Sequence, residues 1–89
     1  MTYKVVGVKY NRYEDWRGGK TNNTPKMSIR HVSANSIKDT IVELLFGSDR
    51  YSYVLINYGG KLFHAERDGS NSYIRKELTY HPLRKHVME

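Results

Sequence analysis

The sequence predicts an α+β domain: a small single-layer sheet of about five antiparallel or mixed strands, with one α-helix packed across one face. Three observations predict it. The stretch from Tyr51 to Arg75, YSYVLINYGGKLFHAERDGSNSYIR, reads as three short β-rich runs joined by two turns. The stretch from Ser36 to Gly47 carries the one strong helix signal of the chain. Ahead of that helix lie two further β-rich runs, Tyr3 to Tyr13 and Met27 to Val32.

The first run alternates. Val6, Val8 and Tyr10 share a face, with Lys4 and Arg12 at its ends. Residues 14–26, EDWRGGKTNNTPK, are polar and carry a Gly pair, two Asn and a Pro, so they read as a long, flexible, basic loop. In the second run Met27, Ile29 and His31 point one way. Ser36, followed three residues later by Asp39, has the form of a capping box, and Ile37, Ile41, Leu44 and Leu45 then form one apolar stripe. Gly47 stands where the helix should stop.

Gly59-Gly60 is a two-residue hairpin signal. Pairing Tyr58 with Lys61 sets Ile56 opposite Phe63 and Val54 opposite Ala65, all four facing the helix. Tyr53, Leu55, Leu62, His64 and Glu66 then face away. Asp68-Gly69-Ser70-Asn71 reads as a four-residue turn before a strand from Ser72 to Leu78. That register turns Ile74 toward the helix, and Tyr73 and Arg75 outward beside Glu66 and His64. The tail, residues 82–89, holds Leu83 and Val87 at helical spacing and reads as a last short turn or a frayed end. Residues 1–89 are expected to form a single domain.

Composition narrows the chemistry. With no cysteine, neither a disulfide nor a thiolate nucleophile nor a cysteine-held zinc is available. The first residues, MTYKVVGVKY, are too charged for a signal peptide, and no run approaches the roughly 18 apolar residues of a membrane span. A cytoplasmic protein is the expectation. Asn22-Asn23-Thr24 has the form of a glycosylation site and reads as loop chemistry. The net charge is +6. Residues 1–30 hold seven of the fifteen bases and two of the nine acids, so nearly all the excess sits there. A basic first third attracts nucleic acid, a nucleoprotein or an acidic protein face.

The motifs that resemble catalytic or metal signatures are incomplete. Arg17-Gly18-Gly19-Lys20-Thr21 ends like a phosphate-binding loop. Position 14 is Glu where that motif needs Gly, and Asn22-Asn23-Thr24-Pro25 does not start the helix it requires. His64 and Glu66 share a strand face, but the zinc deaminases with that pair also need two cysteines. His81 and His86 are five apart, not at a metal-binding helical spacing. No catalytic residue, metal or cofactor is therefore expected. Trp16, the single tryptophan, is either a plug on a satellite core or an exposed anchor.

The helix SIKDTIVELLFG, the Gly-Gly hairpin and SYIRKEL together resemble a family of Gram-positive bacteria and their phages, the small domain of unknown function numbered 3892. The resemblance runs from about Met27 to Val87. It departs at Tyr80-His81-Pro82-Leu83, where that family has Asp-Asn before its last Leu. It implies a fold and a phage or mobile-element setting, and no activity.

Two functional readings stay open. In one, the chain is a non-enzymatic module that binds a host protein or nucleoprotein complex, such as an inhibitor of a host defence system of the anti-CRISPR type. In the other, it binds RNA or single-stranded DNA through its basic first strand and loop and a tyrosine-bearing sheet face. The candidate contact residues are Arg12, Trp16, Arg17, Lys20, Arg30, Tyr53, His64, Tyr73 and Arg75. No membrane partner is expected, and the chain is expected to be a monomer or a homodimer.

Overall fold

The structure, a computed structural model, describes residues 2–9 and 26–89. Its elements are β1 (Thr2–Lys9), β2 (Lys26–Ser33), α1 (Ile37–Phe46), β3 (Tyr53–Tyr58), β4 (Lys61–Arg67), β5 (Tyr73–Leu78) and α2 (Arg84–Met88). The strands form one antiparallel sheet in the order β2-β1-β3-β4-β5. This is the expected α+β architecture, with α1 across one face. Among the described residues, no helix is long and apolar enough to cross a membrane.

The sequence explains which strands take the centre. Val5, Val6 and Val8 of β1 and Val54, Leu55 and Ile56 of β3 are all buried, whichever face they point to. A strand that is apolar on both faces has to lie inside the sheet and be covered twice. Strands with a polar face, β2 and β5, take the edges.

The first cover is α1. Ser36 caps it by accepting the Asp39 N–H at 3.1 Å, as the capping signal predicts. The fully buried Thr40 hydroxyl donates to the Ser36 carbonyl, so it stays satisfied. Ile37, Ile41, Leu44 and Leu45 pack on Val5, Val54, Ile56 and Ala65, with Tyr3 and Tyr51 at the margins. The helix stops at Gly47, where a Cβ would lie 2.3 Å from the Glu43 carbonyl oxygen.

Two residues lock the link from α1 to β3. A Cβ on Gly7 would stand 2.6 Å from the Tyr51 ring, so glycine at this point of β1 makes room for a buried tyrosine. The Tyr51 N–H donates to Leu44 O at 3.1 Å, and Ser52 N–H to Val8 O at 2.7 Å. From β4, the Arg67 Nη1 donates to Leu45 O at 2.8 Å and to Tyr51 O at 2.6 Å. One guanidinium thereby holds a late carbonyl of the helix and the start of the next strand together.

The second cover is α2, built from the tail that the sequence leaves between a short turn and a frayed end. Val87 is fully buried against Val6, Val8, Leu55 and Leu62, with Leu78, Leu83 and Met88 around it. Burying one such side chain contributes about 1.5–3 kcal/mol. The Lys4 Nζ donates to the Glu89 carbonyl and fixes the far end of α2 to β1.

The hairpin register is as expected, with Tyr58 opposite Lys61 and Val54 opposite Ala65. The register of β5 is not. Ala65 lies opposite Arg75 and Glu66 opposite Ile74, one residue from the predicted pairing. The cause is Ser72. Its carbonyl accepts the Asp68 N–H at 2.8 Å and its hydroxyl donates back to the Asp68 carbonyl, while Gly69 adopts φ 102°. Ser72 therefore closes the turn and does not start the strand. One added turn residue flips every β5 side chain. Ile74 faces away from α1 and is 49% exposed, and Tyr73 packs against the α1 core instead.

Urea unfolding should register the packing on the α1 face at two places. Leu44→Ala is expected to cost about 2–5 kcal/mol through the cavity it leaves. Gly7→Ala, which adds a single methyl, is expected to cost about 1–3 kcal/mol, because the Tyr51 ring has to shift. An unchanged midpoint for Gly7→Ala would show that the ring moves freely.

Candidate functional site

The structure separates the predicted contact residues. Arg12, at the end of the expected first strand, and Trp16, Arg17 and Lys20, on the expected long loop, lie outside the described residues, while Lys26, the last residue of that loop, opens β2. Arg30 projects from β2 on the α1 side, where its Nη1 meets Asp49 Oδ2 at 2.6 Å. Hydrogen bonds to Tyr51 and to Asp49 raise the Arg30 pKa above its ordinary value. Both partners of the ion pair are about half exposed, so the pair itself stabilises little.

Tyr53 and His64 do lie together, on the face away from α1. Their rings stack with centroids 4.9 Å apart. Tyr73 and Arg75 do not join them. With β5 shifted by one residue, both point to the α1 side, which corrects the expected four-residue patch. The third ring beside Tyr53 and His64 is His81, 5.7 Å from Tyr53 and 6.4 Å from His64. Its Nδ1 accepts the Leu83 N–H at 3.1 Å just before α2. Burial lowers the pKa of His64 and of His81 below 6.5. For His64 the neighbouring Lys76 and His81 add to that shift, and Glu66 opposes it.

Arg75 finds a different aromatic partner. Its guanidinium carbon stands 5.2 Å from the centre of the Phe63 ring. Phe63 meets Tyr58 edge-on at 5.9 Å, and Tyr58 meets Tyr3 at 5.8 Å. A row of three rings and one cation thus crosses β1, β3, β4 and β5 at the hairpin end. Tyr58 is 39% exposed, Arg75 is exposed, and Lys61 stands beside them. Glu77, opposite Phe63, puts an acid into the same row.

The third surface is the β2 edge. Among the described residues β2 pairs only with β1. Met27 sits opposite Val8 and Ile29 opposite Val6, so they continue the apolar face of β1 outward, yet they are 40% and 47% exposed. Lys26, Arg30 and His31 are exposed on the same strand.

Sequence reasoning passed over His81, Phe63 and Tyr58 as contact residues. Phe63 and Tyr58 follow from the hairpin register once Arg75 is moved by one position. The signal for His81 is local: a side chain able to accept a hydrogen bond, two residues before the first turn of a short helix.

Comparison with protein-family models, with curated proteins and with solved structures finds no match to this chain.

A double-mutant cycle should detect the cation–π contact. Phe63→Leu and Arg75→Ala are expected to couple by about 0.5–1 kcal/mol in urea unfolding. Additive effects would mean that the guanidinium gains nothing from the ring.

Proposed function

We propose that this chain is a non-enzymatic binding module that takes up a cytoplasmic protein partner, alone or within a nucleoprotein complex, by strand addition along β2. One observation carries the reading. An eight-residue strand, at the sheet edge among the described residues, holds two large apolar side chains half exposed on the face away from α1, next to cationic neighbours. Edge strands are commonly blunted by charges, and β2 carries Lys26 and Arg30 on its α1 face, but its other face presents the apolar Met27 and Ile29. Strand addition gives affinity through main-chain hydrogen bonds and specificity through alternate side chains. The partner strand this edge suits is apolar where it meets Met27 and Ile29 and acidic where it meets Lys26 and Arg30. A phage or mobile-element origin, with the partner in a bacterial host, belongs to the same proposal.

A second reading has its own observation, the neighbouring Tyr58, Phe63 and Arg75, with the buried Tyr3 behind them. Rings beside a guanidinium on a sheet are suited to stacking bases of single-stranded nucleic acid.

Pull-down from host extract with nuclease present separates the two. The tagged chain is expected to retain a protein partner, and Met27→Lys with Ile29→Lys is expected to lose it while shifting unfolding stability by no more than about 0.5 kcal/mol. Retention by that double variant would overturn the edge-strand reading. Tight, salt-dependent binding of the isolated chain to an oligonucleotide would favour the second reading. In that case Tyr58→Ala should weaken binding by about 1–3 kcal/mol, and Arg75→Ala should flatten the salt slope by roughly 0.7.

A further inference from the structure

We propose that α2 is held by a pH-sensitive latch: protonation of His81 removes the contact that starts the helix and frees it from the sheet. The geometry is specific about the protonation state. Leu83 N–H donates to His81 Nδ1 at 3.1 Å, and Arg84 N–H donates to the His81 carbonyl at 2.9 Å. A neutral imidazole can offer Nδ1 as an acceptor, whereas an imidazolium carries hydrogen on both nitrogens and offers none. Protonation therefore sets a donor against the Leu83 N–H at the first turn of α2.

The surroundings also disfavour a cation at His81. Tyr53 of β3 and His64 of β4 pack against its ring. His64 stands opposite Lys76 of β5, and Glu66 of β4 opposes the lowering of its pKa. From α2 come Arg84 and Lys85, both exposed, and the half-buried His86, and from β1 comes Lys4, which donates to the Glu89 carbonyl. Burial depresses both His64 and His81. A histidine with a lowered folded pKa contributes its full stability above the ordinary value of 6.5. That stability is lost as the pH falls below 6.5 and through the lower folded value.

A five-residue helix does not persist without its packing. The Asn57 Nδ2 reaches the Val87 carbonyl at 3.5 Å, the outer limit of a hydrogen bond. What remains is the apolar packing of Val87, with Leu83 and Met88 beside it, and the tie from Lys4. Release uncovers Val6, Leu55 and Leu62 beside the already exposed Met27 and Ile29, so one pH step enlarges the apolar surface next to β2. The latch itself does not depend on β2 taking up a partner.

Amide exchange of the full chain by NMR, corrected for intrinsic rates, tests the latch at about pH 7.5 and about pH 5.5. The reporters are the His86 and Glu89 amides, which donate within α2. Their protection is expected to fall at the lower pH, by up to about tenfold for a single histidine, while the amides of β1 and β3 keep theirs. In His81→Asn, a short side-chain carbonyl can accept the Leu83 N–H and does not titrate, so protection should hold at both values. In His81→Ala it should be low at both. Unchanged protection in the native chain at about pH 5.5 would overturn the latch. So would a parallel loss across β1 and β3, or a loss in His81→Asn equal to that of the native chain.

Discussion

The rest of the structure depends on the two central strands being apolar on both faces. Val5 and Val6 are neighbours in β1, and Val54, Leu55 and Ile56 run consecutively in β3, all of them excluded from solvent. A sheet with one wet face would leave Val6, Val8 and Leu55 in water. A single helix cannot cover both sides, so the chain needs a second cover, and the five residues of α2 supply it. The same constraint sends β2 and β5 to the edges. Gly7 is the one break in the apolar run of β1, and the ring of Tyr51 fills the space it leaves.

Most of this fold is legible in the sequence, because it rests on local rules. Ser36 caps α1, Gly47 ends it, and its stripe at Ile37, Ile41, Leu44 and Leu45 is the buried one. Gly59 and Gly60, both at positive φ, fix the hairpin and with it the partners of Val54 and Ile56. The β5 register is not legible in the same way. It depends on whether Ser72 belongs to the turn or the strand, and both assignments suit a serine. Hydrogen bonds between Asp68 and Ser72 decide it. The second cover is legible in part: the runs Val5-Val6 and Val54-Leu55-Ile56 already demand burial on two faces, and Leu83 and Val87 already have helical spacing.

The candidate site fared less well, for the same reason. Tyr73 and Arg75 change faces with the β5 register, so a patch drawn from four residues on three strands dissolves into two clusters on opposite sides. Arg75 is matched with Phe63 instead of His64, and His64 with His81 instead of Arg75. Exposure at Met27 and Ile29 has another origin. Alternation predicts that they share a face with His31, but whether anything stands beyond β2 is a property of sheet order, which alternation does not determine.

The docking of α2 also bears on the order in which the chain assembles. Its seat is made of β1, β3 and β4 side chains, brought together from positions 6 to 62. That seat is complete only once β1 has paired with β3 across a long stretch of chain, bringing Val6 and Val8 beside Leu55 and Leu62. The hairpin of β3 and β4 and the helix α1 need only short-range closure and can form earlier. The last helix therefore docks fully only after that pairing. Changes at Val87 or Leu83 would then act on the speed of unfolding and leave the speed of folding nearly untouched.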